Sequence, residues 1–197
     1  MSDGMKNSII YTLIKAVMDK ADKEHVIIAI DGPSASGKTM FARTLKKEFD
    51  CNVFHMDDFF LTPERKTPER LATPGGNVDW EGVKETVLEN LVKGEPFKYK
   101  TYNCQTGQYT ETPLITPKKL NIVEGVYAMH PELIDYYDYK IFFDVSREKQ
   151  LDRILKRSNA RMLARFKNEW IPLEDKYFEA YKAAANADFS FNTTRAF

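Results

Sequence analysis

The chain has 197 residues, 43% of them hydrophobic, with 29 Lys+Arg set against 29 Asp+Glu. That is enough apolar material for one α/β domain with a packed core. The zero net charge excludes the broad basic field that nucleic acid or an anionic membrane would select, so neither is expected as a partner.

The first expected element falls within residues 1–21, where Ile9, Ile10, Leu13, Ile14, Val17 and Met18 recur at helical spacing. This helix should pack on the core, with a dimer contact as the sharper alternative. Lys6, Lys15, Asp19 and Lys20 interrupt any secretory h-region, and no apolar stretch approaches membrane-spanning length. A cytoplasmic location is therefore expected, with Cys51 and Cys104, which lack metal-ligand spacing, as reduced thiols.

Residues 26–30 form the β-branched run of a strand buried on both faces. They lead into Gly32-Pro33-Ser34-Ala35-Ser36-Gly37-Lys38-Thr39. This is a G-x-x-x-x-G-K-T loop, followed by Phe41, Ala42, Leu45 and Phe49 at helical spacing. Gly32 and Gly37 permit a tight curl. The amides from Ser34 to Thr39 then form an anion nest at a helix N-terminus. Lys38 supplies a point charge at the β/γ-phosphates of ATP or GTP, and the Thr39 hydroxyl is a ligand for Mg²⁺, a hard ion that prefers oxygen.

Beyond the loop, residues 52–55 read as a second strand ending at Met56-Asp57-Asp58-Phe59-Phe60. Residues 62–77, with three prolines and Gly75-Gly76, read as a loop. A helix follows over 80–93, ending at Gly94 as C-cap. Residues 97–102 and 108–115 alternate as a hairpin insertion within 95–116. Buried strands are expected at 120–123 and 140–145, a basic helical stretch at 147–165, a helix at 172–186 with Pro172 in its first turn, and a last strand at 189–191. Strands alternating with helices make a mostly parallel sheet covered on both faces.

Ligands collect at the carboxyl ends of such strands, and there Asp57, Asp58, Glu124 and Asp144 stand. Phosphoryl transfer needs a metal to neutralise the phosphate oxygens and a group to orient the attacking hydroxyl. Glu124 is placed to act on Mg²⁺ directly or through water, and Asp57 to accept a hydroxyl proton. Asp144 is expected to cap the helix that starts near Arg147. His55 and His130 have no metal spacing and read as structural. Phe59 and Phe60 read as core or as substrate platform.

In this order the P-loop, Met-Asp-Asp-Phe-Phe, Val78-Asp79-Trp80, Val123-Glu124-Gly125, the arginines after Arg147 and the terminal Ala187-Asp188 strand resemble the uridine kinase-like group of P-loop kinases. That group also takes in phosphoribulokinase and nicotinamide riboside kinase. The resemblance implies a P-loop NTPase fold, three-layer α/β/α with a mostly parallel sheet, a small β-hairpin over the acceptor site and an Arg-rich lid over 147–167, all in one domain spanning 1–197. It places Asp57 as general base and Asp79 on ribose hydroxyls, with Tyr102 flanking the acceptor and Arg153, Arg157 and Arg161 in the lid. Physically, Arg153 and Arg157 share a helix face and could clamp γ-phosphate charge. Asp79 could equally be an N-cap, and Tyr102 could be hairpin packing.

The chain departs from uridine-cytidine kinases after Tyr102, where Asn103 replaces the family's Asp and the stretch to Tyr109 lacks its His and Arg. Gln105 and Gln108 are polar amides able to meet a base edge. The expected activity is ATP-dependent transfer of the γ-phosphate to a primary hydroxyl, foremost the 5′-OH of uridine or cytidine. The alternatives are another small alcohol (nicotinamide riboside, pantothenate or a sugar phosphate) and a nucleotide-binding regulator. Self-association is compatible with the group.

Overall fold

The structure, a computed structural model, describes residues 9–103 and 106–195. Its first half runs α1 (Ile9–Lys20), β1 (Val26–Asp31), α2 (Lys38–Glu48), β2 (Cys51–His55), α3 (Pro68–Ala72), α4 (Trp80–Val83) and α5 (Glu89–Lys93). The second runs β3 (Lys100–Asn103), β4 (Gln108–Glu111), β5 (Leu120–Glu124), β6 (Tyr139–Asp144), α6 (Arg147–Arg157), α7 (Ala160–Arg165), α8 (Ile171–Tyr181) and β7 (Phe189–Asn192).

Five strands pair in parallel in the order β2-β5-β1-β6-β7. Alternation along β1 explains why both faces are covered. Val26, Ile28 and Ile30 pack with Ile14 and Val17 of α1 and Phe41 and Leu45 of α2. Ile27 and Ala29 point the other way, into a cluster with Val83, Val87, Leu91 and Tyr177. The expected three-layer α/β/α arrangement is present, and α1 packs on the core as its apolar spacing implies. Cys51 is buried, which pushes its thiol up to about 11 and keeps it unreactive. Among the described residues no helix is long and apolar enough to cross a membrane.

β3 and β4 form the small antiparallel hairpin, with Tyr102 opposite Tyr109, and a separate bridge joins Phe97 to Ile115. Its strands are shorter than the alternation implied, because Pro113 has no N–H to donate to a ladder. Cys104 and Gln105 lie outside the described residues.

Three local expectations are corrected. Residues 62–77 are not a plain loop: Pro63 opens a 3₁₀ turn and Pro68 opens α3, whose first turn Thr67 caps through Arg70 N–H. Proline breaks a helix interior but suits a first turn, where its missing N–H is not needed. Asp144 does not cap α6; the Ser146 side chain does, accepting from Lys149 N–H, while Asp144 accepts from Asn192. Finally, α7 and α8 are joined without a break by a π turn, Phe166–Trp170, in which Ile171 N–H reaches back to Phe166 O. Pro172 explains the widening, since in a regular helix its ring would collide with the carbonyl four residues earlier.

Gly32 ties the loop to the sheet. Its φ is +140°, and a Cβ built there would lie 2.1 Å from the Phe143 carbonyl oxygen. Gly32→Ala is expected to destabilise the fold by roughly 2–4 kcal/mol through strain and overpacking, measured by thermal or urea unfolding. Gly107→Ala, at φ +69° with only the Tyr102 hydroxyl nearby at 4.0 Å, should cost about 1 kcal/mol. Equal losses in the two variants would show that the close approach at Gly32 has no energetic weight.

Candidate active site

The acidic strand ends meet at one edge of the sheet. The parallel register sets Glu124, the last residue of β5, opposite Ile30 of β1 and His55 of β2. Its carboxyl therefore stands where the glycine-rich loop begins. Gly37, at φ +103°, turns the chain into α2. Lys38 is 6% exposed and folds back, its Nζ donating to the carbonyls of Gly32 (2.7 Å) and Pro33 (3.0 Å). Ser36 is buried, and its carbonyl accepts from the Thr193 hydroxyl at 2.7 Å.

A cavity of about 520 Å³ opens over this loop, walled by Ala35, Gly37, Lys38 and Thr39 together with Arg153 and Arg157 of α6. A helix N-terminus, an ammonium and, with Arg43 of α2, three guanidinium groups make a lining suited to polyanions. Arg153 is held in place, donating to Ala35 O (3.1 Å) and Thr193 O (2.7 Å). It thus links the loop to the end of β7. Arg157 lies over the Phe166 ring at 5.4 Å.

A second cavity, of about 530 Å³, shares Arg157 with the first. Asp57 and Ser34 lie in its wall, as do Tyr127, Phe166, Trp170 and Glu174. Asp57 sits in the single turn Met56–Phe59 after β2. The carboxyl is open to the cavity, yet the concave wall removes enough water to raise its pKa, and the charge of Glu124 adds to this. Lys38 and His55 pull the other way. Asp58 turns inward instead and accepts from the Tyr99 hydroxyl at 3.2 Å.

Glu124 is buried, and His55 Nδ1–H donates to its Oε1 at 2.5 Å. That bond raises the His55 pKa, so the pair favours the imidazolium. Among the described residues no cluster of three or more His, Cys, Asp or Glu side chains could by itself hold a metal. The donors present suit Mg²⁺ better than a caged metal. Asp57 and Glu124 press negative charge on one another, and Thr39 offers a hydroxyl beside the polyanion site. Mg²⁺ characteristically takes one or two carboxylates and completes its shell with water and phosphate.

Three contributors were not legible in the sequence. His55 read as structural, but it holds Glu124. Asp31, fully buried, accepts from Gly32 N–H (2.6 Å), Met129 N–H (2.9 Å) and the Tyr177 hydroxyl (2.8 Å), fastening the loop to β5's exit and to α8. Burial pushes its carboxyl up to about 6 against those bonds. Glu174, on α8, is also buried; its carboxylate accepts from Ser34 N–H at 3.0 Å and from the Ser34 hydroxyl. Burial raises its pKa too. A strand-end aspartate before the first glycine was the available signal for Asp31, whereas nothing local marked Glu174.

Other expected residues stand elsewhere. Asp79 caps α4, accepting from Gly82 N–H at 3.1 Å, and is gripped by both terminal nitrogens of Arg65 at 2.5 and 2.9 Å. Tyr102 packs against Tyr109 across the hairpin, ring centroids 5.1 Å apart. Arg161 is exposed on α7. None of these three lines either cavity.

Against known proteins, a family model described as "Phosphoribulokinase / Uridine kinase family" matches residues 27–162. A uridine kinase from Ureaplasma parvum serovar 3 is 26% identical over 187 residues, spanning 86% of this chain and 90% of that protein. A uridine kinase from Vibrio vulnificus is 31% identical over 146 residues, spanning 67% and 68%. A solved structure from Bacillus stearothermophilus, described as that of a possible uridine kinase, matches with a TM-score of 0.72 at 21% identity, over 92% of this chain and 96% of that one. This last likeness is one of fold.

Proposed function

The chain belongs to the phosphoribulokinase / uridine kinase family and is a P-loop kinase, and from that premise we propose that it phosphorylates the 5′-hydroxyl of a pyrimidine nucleoside. The observation that carries this reading is the pair of cavities joined at Arg157, with Lys38 and the loop in one and Asp57 in the other. A phosphoryl group held in the first has a carboxylate base and an arginine along its path to the second.

In this mechanism the backbone of Ala35, Gly37, Lys38 and Thr39, which walls the first cavity, and the Lys38 ammonium hold the ATP phosphates. The Ser34 and Ser36 amides, expected in the nest, are instead bonded to Glu174 and Pro33. Thr39 and Glu124 would hold Mg²⁺, which would supply positive charge to neutralise the phosphate oxygens. Asp57 orients the acceptor hydroxyl and takes its proton as the oxygen attacks. Arg157 meets the charge on the transferring group, and Arg153 keeps the loop and α6 in register. Most of the rate gain is positioning and electrostatics. The uridine kinases among the relatives support a nucleoside acceptor, and a cytoplasmic location accords with that chemistry.

A second reading of the acceptor has its own observation. Lys66, Arg157 and Arg165 all reach the second cavity, so an alcohol bearing a phosphate or carboxylate would also find partners there. ADP release, measured with uridine, cytidine, pantothenate and a set of sugar phosphates, separates the two. Stimulation at least tenfold above the acceptor-free rate by a pyrimidine nucleoside is the expected result. Stimulation by an acidic alcohol alone would replace the nucleoside, and stimulation by none of them would favour a nucleotide-binding regulator.

A further inference from the structure

The hairpin's aromatics are engaged away from the acceptor cavity. Tyr102 pairs with Tyr109, and Tyr99 stacks on Phe59 at 5.1 Å while its hydroxyl donates to Asp58. The aromatic lining of the second cavity comes from Phe60, Tyr127, Phe166 and Trp170. Phe166 and Trp170, the first and last residues of the π turn, meet edge to face with centroids 4.5 Å apart, and both line the wall that also contains Asp57. Each ring already carries a planar cation: Arg157 lies over Phe166, and Arg165 lies 4.7 Å from the Trp170 centroid. Aromatic faces of this kind are also able to stack a flat heterocycle.

Phe166 and Trp170 are four residues apart, so they share one face of the helical segment and reach one cavity from adjacent turns. We infer that Phe166 and Trp170 form the platform on which the acceptor's planar ring stacks, and that they rather than Tyr102 set acceptor specificity in this chain. The inference rests on the reading of the second cavity as the acceptor site. Its ligand class is an alcohol carrying an aromatic or heteroaromatic ring, with the hydroxyl directed to Asp57.

Two measurements test it. In steady-state assays, Trp170→Leu is expected to raise the KM for uridine or cytidine roughly tenfold or more, the scale of one lost base–aromatic stack, with the KM for ATP unchanged. Trp170→Phe should restore most of the loss, turnover of ribose, which has no ring to stack, should not respond, and Tyr102→Leu should have little effect. In a Trp80→Phe background Trp170 is the sole tryptophan, so nucleoside binding should quench its emission whether or not turnover follows. A KM rise confined to Tyr102→Leu, an equal response for ribose, or absence of quenching by a nucleoside that is turned over would each overturn the platform and leave the nucleoside reading standing. Turnover of non-planar alcohols only would overturn both and leave a kinase. Quenching without turnover of any acceptor would support the platform while removing the proposed reaction.

Discussion

Asp57→Asn is expected to lower kcat by about 10²–10⁴-fold, the usual range for loss of a positioned general base, while the KM for ATP stays nearly constant. Asp57 is open to the second cavity and is not part of the glycine-rich loop, which is why binding and chemistry should separate. Its pKa lies above the ordinary carboxylate value because the site strips it of water, with Glu124 adding to the effect. The base must be ionised to work, so activity is full above that raised pKa and is lost as pH falls through it. The acid limb of the kcat profile should therefore lie above pH 3.8, the unperturbed value, and should vanish in the Asn variant.

The same shift carries a stability signature of opposite sense to a lost salt bridge. A carboxyl whose folded pKa is raised binds its proton more tightly when folded, so its contribution to stability is fully present below the unfolded pKa and is lost as pH rises through the folded one. At neutral pH the ionised Asp57 opposes folding, and Asn should leave the Tm unchanged or higher. A dead enzyme with an intact or raised Tm is the expected pair of observations. Near-normal turnover would remove Asp57 from the mechanism, whatever the melting curve shows.

Lys38→Ala should reduce kcat/KM for ATP by about 10²–10³-fold, comparable to deleting one preorganised donor to developing charge, and should weaken nucleotide binding in equilibrium titrations. The residue is almost fully buried and its Nζ spans the carbonyls of Gly32 and Pro33, so it also organises the loop. A wider electrostatic effect follows, because Lys38 lowers the pKa of Asp31, Asp57 and Glu174 together. Its removal should move the acid limb of residual activity to higher pH, a change that loss of ATP contacts alone would not produce. Unaltered ATP binding in the variant would dissociate this lysine from the donor site.

Where the sequence was legible, the chemistry was contiguous. Gly32 to Thr39 announces its use because the curl, the amides, the ammonium and the hydroxyl all come from eight successive residues. Asp57 and Glu124 follow from a second rule, since Glu124 ends an apolar strand and Asp57 closely follows a shorter, mixed one. Prolines were read unevenly: Pro172 stands in the first turn of α8 as its position implied, whereas Pro63 and Pro68, read as loop residues, begin helical turns. Proline removes one donor and one set of clashes, and whether that breaks a helix or starts one depends on where its neighbours pack.

By itself, then, the sequence determined a triphosphate-binding loop on a parallel sheet with acids at the strand ends, because those features are written in local spacing. Only the tertiary structure decided what surrounds them. Ser34 is met by Glu174 from 140 residues away and Asp31 by Tyr177 from 146 away. Asp79 is turned toward Arg65, and Trp170 is carried to the cavity that Asp57 serves. Each depends on which helix the sheet places over the loop, and side-chain reach in three dimensions has no trace in one-dimensional spacing. The proposed acceptor site is assembled from such distant segments, which is why the glycine-rich loop could be read along the chain and the second cavity had to be found in space.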